Sequence, residues 1–165
     1  MEALKQNFLE MLSQYQGILH KVCLIYFRDE NDRKDNFQEI VYQMWKSYPN
    51  LTNKNKVASW IYAISINTSI NKIRIDSRME FRDTLPESVN YHDMEMQMDN
   101  DEEMELLFDA IHSMNIIDKS IILLYLEEKS YEEISEILGI SKSNVGTRLN
   151  RAKDKLKKNL NAKGL

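Results

Sequence analysis

Apolar residues recur at intervals of three and four along most of this chain, the period of helices that bury one face. Leu4, Phe8, Met11, Leu12 and Tyr15 form one stripe, and Ile18, Val22, Ile25 and Tyr26 form another. Residues 2–28 therefore read as one helix, or as two that bend at Gln16-Gly17. Residues 28–33 are polar and turn-like. A helix over 34–47 follows, with Phe37, Ile40, Val41, Met44 and Trp45 on one face. Tyr48-Pro49-Asn50 breaks it, Asn53 and Asn55 extend a polar loop, and residues 56–77 return to helix. From 83 to 101 no firm period survives, and the segment reads as a mobile acidic linker. Four helices complete the pattern, over about 102–113, 117–128, 131–138 and 142–160.

The last two of these form a helix-turn-helix. Ser130 followed by Glu133 is a capping box, so a helix starts at Tyr131. Ile134, Ile137 and Leu138 give it a buried side. Gly139 stands where the chain must turn through positive φ, and Ser141 caps the next helix. There Val145, Leu149, Ala152, Leu156 and Leu160 share an inward stripe. Ser143, Asn144, Thr147, Arg148 and Arg151 are left to face outward. This is the form in which a second helix enters the major groove. Its amide, hydroxyl and guanidinium groups suit base edges and phosphates. No carboxylate occupies the first turn, and Lys153, Lys155, Lys157 and Lys158 extend the positive surface. A helical hairpin with a solvated basic face is the blander alternative. Gly146 is unusual in mid-helix, either admitting a close approach or simply tolerated.

Composition narrows the fold class. With 165 residues, 42% of them hydrophobic, the chain can bury one domain or two small ones. Only 4 Gly and 2 Pro argue against an all-β fold. The expectation is an all-α protein of two small helical domains. Residues 1–80 and 102–165 would form the domains, and 81–101 a flexible acidic linker. The single Cys23 lies in an apolar run and reads as a buried small hydrophobe in a reducing, cytoplasmic setting. The N-terminus lacks a basic-then-apolar signal pattern, and no apolar run is long enough to span a bilayer.

Charge is placed rather than spread. The net charge is −4. Residues 83–109 hold ten acids and no Lys or Arg, whereas residues 141–165 hold eight basic residues and one acid. Residues 52–82 hold six basic residues and two acids. Two nucleic-acid-facing patches separated by an acidic connector are implied. In the first patch Trp60, Asn67, Asn71 and Arg74 share one side of a helix. An aromatic with amides and cations suits unpaired bases, which stack and need hydrogen-bond partners. The alternatives are solvated asparagines and a core tryptophan.

Three blocks in order resemble the extracytoplasmic-function sigma factors of bacterial RNA polymerase. They are Asp35-Asn-Phe-Gln38-Glu39 through Trp45, Ser59-Trp60 through Asn67 and Asn71, and Ser130-Tyr131 through Arg151-Ala152. The resemblance implies that Asp35, Gln38 and Glu39 contact core RNA polymerase. It implies that the loop 47–55, including Asn50 and Leu51, holds a base flipped from the melted strand. Lys56, Asn67, Asn71 and Arg74 would serve −10 promoter DNA, with Trp60 supporting either the bubble edge or helix packing. Ser143, Asn144, Thr147, Arg148, Arg151 and Lys155 would read the −35 element. The acidic linker would follow the polymerase's RNA channel and oppose free DNA binding. An anti-sigma factor, often membrane-anchored in this family, is the further implied partner. Neither cofactor, metal nor small-molecule substrate is implied. Gly146 stands where many members carry a basic residue, Asn115 where Pro is common, and Val57 where an aromatic is common.

Two other classes remain. A self-sufficient dimeric helix-turn-helix regulator would leave the blocks between Asp35 and Asn71 unexplained. A helical hydrolase finds no support in three scattered histidines, and neither a Gly-rich phosphate loop nor a nucleophile elbow is present.

Overall fold

The computed structural model describes residues 1–80 and 102–162, and every regular element among them is helical. The linker expected at 81–101 lies outside the described residues. The chain divides into two units, Met1–Asn90 and Tyr91–Leu165. No helix among the described residues is long and apolar enough to cross a membrane.

The first unit is built on α1 (Glu2–Tyr26), α2 (Glu30–Ser47) and α3 (Val57–Glu80). Helix α1 runs unbroken through Gly17, where a side chain would meet only open space. Its lower stripe is buried as expected at Val22, Ile25 and Tyr26, and Leu19 joins them. The turn between α1 and α2 is shorter than the sequence suggests, because α2 starts at Glu30 rather than at residue 34. Glu30 and Asp32 place negative charge in the first turn, where the helix dipole favours it. Glu30 also pairs with Lys34 at 3.6 Å. From the same turn the Arg33 guanidinium donates to the Arg28 carbonyl at 2.6 Å and to the Phe27 carbonyl at 3.3 Å. It thus satisfies carbonyls at the end of α1 and ties the two helices at their junction.

Phe8, Leu19, Cys23, Ile40, Met44 and Ile61 form the core of this unit. Fully burying one such large aliphatic side chain contributes about 1.5–3 kcal/mol. Phe8 is boxed edge-on by Trp45 and Tyr48, with ring centroids 5.1 and 5.3 Å away. Helices α2 and α3 are connected through a 3₁₀ turn at Tyr48–Asn50, which opens on Pro49, and a second at Lys54–Lys56. Asn53 caps the latter by accepting from the Asn55 backbone N–H at 3.0 Å.

A buried polar link crosses this core. Asn36 is fully buried, and its amide donates to Ser69 Oγ at 2.8 Å and to Cys23 Sγ at 3.4 Å. Ser69 in turn donates to the Ser65 carbonyl at 2.7 Å. The link joins all three helices. The Cys23 thiol is buried as expected, and burial pushes its pKa up to about 11, partly opposed by the Asn36 hydrogen bond and the Arg33 charge.

The second unit comprises α4 (Glu102–His112), α5 (Ile116–Leu126), α6 (Tyr131–Leu138) and α7 (Lys142–Ala162). Helices α4, α5 and α6 all pack against α7. Ile111, Ile121, Ile122, Leu124, Ile134 and Leu149 are the large side chains sealed inside it. Helix α5 is nearly all core. Asn115 caps it by accepting from the Asp118 backbone N–H at 2.9 Å.

Ser69→Ala leaves the Asn36 amide with only a long contact to sulfur, a weak acceptor. Unfolding free energy, measured by chemical denaturation, should fall by about 1–3 kcal/mol. An unchanged midpoint would show that the link is not a stabilising contact. The Cys23 thiol has its ordinary value of 9.0 when unfolded and about 11 when folded. Its contribution to stability is therefore complete below pH 9 and is lost as pH rises toward 11, by up to about 1.4 kcal/mol per pH unit. Melting curves should show this decline, Cys23→Ala should flatten it, and a thiol reagent at pH 8 should label the native protein only as fast as it opens.

Candidate nucleic-acid interface

In the second unit the turn between α6 and α7 is built as the sequence requires. Ser130 Oγ accepts from the Glu133 backbone N–H at 3.1 Å, and Glu133 Oε1 accepts from the Ser130 N–H at 3.2 Å, completing the capping box. Helix α6 ends at Gly139 with φ 69° and ψ 31°, the left-handed conformation that glycine adopts without cost. Ser135 Oγ donates to the Ile140 carbonyl at 2.5 Å. Ser141 Oγ then accepts from the Asn144 N–H at 3.1 Å and opens α7. Each backbone group satisfied here makes the turn a single conformation rather than a loop.

Val145, Leu149 and Ala152 are completely buried, and Leu156 and Leu160 half-buried, so the apolar stripe of α7 faces inward. The opposite sector is open. Ser143, Asn144, Thr147, Arg151 and Lys155 are all exposed. The first turn of α7 carries no acidic residue. Thr147 Oγ1 donates back to the Ser143 carbonyl at 3.2 Å, and the Lys142 ammonium ties α7 to Glu132 of α6 at 3.2 Å. Lys153 lies over the Tyr125 ring, 4.1 Å from its centroid. Arg148 differs from its neighbours. It is half-buried, and its guanidinium lies 3.7 Å from the Asp118 carboxylate at the start of α5. Asp118 was not legible from sequence, because nothing in the pattern shows that α5 begins beside α7.

Gly146 is approached by a ring and not by a backbone. A Cβ there would lie 3.5 Å from Tyr131, at ordinary contact distance.

In the first unit α2 and α3 enclose a groove of about 750 Å³. Asp35 and Glu39 line it from α2, and Asn67 and Asn71 line it from α3. All four are exposed. Gln43, Thr68 and Lys72 also line it and were not singled out from sequence. Gln43 donates to Glu39 at 2.9 Å, which holds that carboxylate along the groove wall. Toward its far end acids crowd together. Burial, then the neighbouring Asp29, raises the Asp32 carboxyl above its ordinary pKa, with Lys72 acting against them and Asp76 and Asp35 adding to them. Gln38 and Arg74 are exposed but stand outside the groove lining. Asn50 and Lys56 are exposed on the connecting turns, and Leu51 is half-buried. Trp60 is half-buried and packs on the core, its ring centroid 6.5 Å from that of Tyr48. Its position is that of a packing residue, one of the two roles its sector allows. No group of three or more metal-ligating side chains occurs among the described residues.

The two units match two families separately. Residues 11–79 match Sigma-70 region 2, and residues 104–156 match Sigma-70, region 4. RNA polymerase sigma factor YlaC of Bacillus subtilis is 30% identical over 132 residues, covering 77% of this chain and 76% of that protein. The ECF RNA polymerase sigma-E factor of Haemophilus influenzae is 27% identical over 162 residues, covering 91% of this chain and 85% of its own length. Among solved structures, the sigma factor RpoE in complex with the anti-sigma factor NepR from Bartonella quintana shares the fold. It superposes with a TM-score of 0.76 at 19% identity over 98% of both chains. CnrH, in complex with the cytosolic domain of CnrY, follows with a TM-score of 0.65 at 17% identity, over 96% of this chain and 90% of that one. The chain belongs to the extracytoplasmic-function branch of the sigma-70 family of RNA polymerase sigma factors. It directs the polymerase to promoters and so to the start of transcription. The region 2 match accounts for the Asp35 to Asn71 blocks, which a lone helix-turn-helix regulator would leave without a role.

Two glycines of this site should respond in opposite directions. At Gly139 a Cβ meets nothing within 4 Å, so the cost of Gly139→Ala is the left-handed backbone alone, about 1–2 kcal/mol. At Gly146 the Cβ fits, and Gly146→Ala should add about 1 kcal/mol of helix stability. Thermal melting of the two variants should move them to either side of the parent; the same sign for both would discard the account.

Proposed function

We propose a division of labour between the two units. The first docks on core RNA polymerase through Asp35, Gln38 and Glu39 and engages the −10 promoter region through Asn50, Leu51, Lys56, Asn67, Asn71 and Arg74. Trp60 supports that surface from within. The second unit reads the −35 element through Ser143, Asn144, Thr147, Arg148, Arg151 and Lys155. The protein supplies recognition and binding free energy, and the chemistry of initiation is the polymerase's own. It works in the cytoplasm, where polymerase and promoter are, and residues 81–101 connect its two halves as an acidic tether.

The observation that carries this reading is the shared groove. Asp35 and Glu39 line one wall of it and Asn67 and Asn71 the other, which supports reading one wall as the polymerase edge and the other as the strand edge. A melted base held by the loop 47–55, with Asn50 and Leu51, gains contacts that offset an unstacking cost of a few kcal/mol. Duplex binding by α7 adds about 1–3 kcal/mol of discrimination per well-made base contact.

An anti-sigma protein is the expected inhibitor. The sigma factor RpoE, whose fold this chain shares, was captured with the anti-sigma factor NepR, and CnrH, of the same fold, with the cytosolic domain of CnrY. A partner that covers the groove, the outer face of α7 or both would silence the factor.

Reconstituted transcription with core polymerase on genomic fragments, followed by mapping of start sites, tests the whole reading. Asn67→Ala should slow open-complex formation with little effect on upstream binding. Arg148→Ala should weaken dependence on upstream sequence by about 1–3 kcal/mol and leave melting intact. Initiation unaffected by either change would refute these site assignments, and failure to associate with core polymerase would refute the docking role.

A further inference from the structure

The feature least explained by a simple outward-facing helix is the carboxylate facing Arg148. Asp118 belongs to the first turn of α5, and only 8% of it is exposed. Asn115 holds it from two directions. The Asn115 side-chain oxygen accepts from the Asp118 backbone N–H at 2.9 Å, and the Asn115 amide donates to Asp118 Oδ2 at 2.8 Å. The other carboxylate oxygen, Oδ1, faces the Arg148 guanidinium at 3.7 Å. The carboxylate is thus fixed before it meets the arginine.

We infer that Asp118, locked by Asn115, is a positioning residue that sets the direction in which Arg148 meets upstream DNA. This rests on the reading of Arg148 as a base-contacting residue. A guanidinium has five donors in a rigid fork, and a fixed carboxylate 3.7 Å from Nη1, an ion-pair contact longer than a hydrogen bond, biases the direction of that fork. Arg151 and Lys155, which line the same groove at the start of α5, are exposed and have far more freedom. They suit phosphates, which tolerate imprecise partners, whereas a base edge requires a fixed one. Asp118 also places negative charge beside Arg148. Contact with the wrong sequence is then less rewarded by charge alone, and the preference of Arg148 depends on geometry. Asn115 is what holds the carboxylate in this arrangement. A proline at that position has no side-chain amide to hold Oδ2.

The test is selection from a randomised upstream duplex by the full chain bound to core RNA polymerase, with sequencing of the retained pool. Arg148→Ala should abolish the preference at a defined subset of positions. Asp118→Asn, which keeps the size and one acceptor, should weaken preference at those same positions by about ten-fold. The double variant should be no worse than Arg148→Ala. Asn115→Ser keeps a capping oxygen and loses the amide that holds Oδ2, so it should weaken the same positions to a smaller degree. Melting curves report folding separately, and neither Asp118→Asn nor Asn115→Ser should change the preference at other positions. If Asp118→Asn and Asn115→Ser fold and keep the full preference, or lose it uniformly, positioning is overturned, and the role of Arg148 is then decided by its own variant. If Arg148→Ala itself changes no position, the base-contacting role fails and the positioning role falls with it.

Discussion

The working edge of the first unit depends on one buried amide. Asn36 sits beside Asp35 in α2, and its hydrogen-bond partner Ser69 sits between Asn67 and Asn71 in α3. That 2.8 Å bond fixes how far one helix is slid along the other. Apolar packing alone tolerates small slips, because dispersion contacts are non-directional and individually weak. A buried donor does not, since moving it off its acceptor leaves a polar group unsatisfied inside the core. The register of the groove walls is thus set from behind by a contact that touches neither polymerase nor DNA.

The second unit solves a different problem, which is to present cations without repelling itself apart. Its basic face is carried by α7, whose first turn is free of carboxylates. The opposite side of that helix is sealed by Val145, Leu149 and Ala152. The acids near it are placed individually: Glu132 against Lys142, Asp118 against Arg148, and Asp154 of α7 itself in the groove that Arg148, Arg151 and Lys155 line. Exposed pairs such as the first add little stability. Their effect is on where the flexible side chains point.

Much of this was visible in the chain before any coordinates. The capping box at Ser130, the left-handed Gly139 and the Ser141 cap are local chemistry, and local chemistry is written in neighbouring residues. The same holds for the apolar stripe of α7. The start of α2 was missed because a polar run between two helices looks like a turn, whereas Glu30, Asp32 and Arg33 are charges that begin a helix and reach back to close the previous one. Asn36 was missed because an asparagine among helical polar residues carries no mark of burial. Asp118 and the Tyr131–Gly146 contact are tertiary, and periodicity has no access to them. Trp60 shows the same limit from the other side. Its ring is half-buried against the core beside Tyr48, a contact that helical period does not report.

The contact at Gly146 bears on how such a helix tolerates change. A Cβ at 146 meets the Tyr131 ring at 3.5 Å, ordinary contact distance, and replaces a helix-weakening glycine. Helix α7 therefore keeps a position at which a first side-chain carbon is accommodated and the fold gains by it.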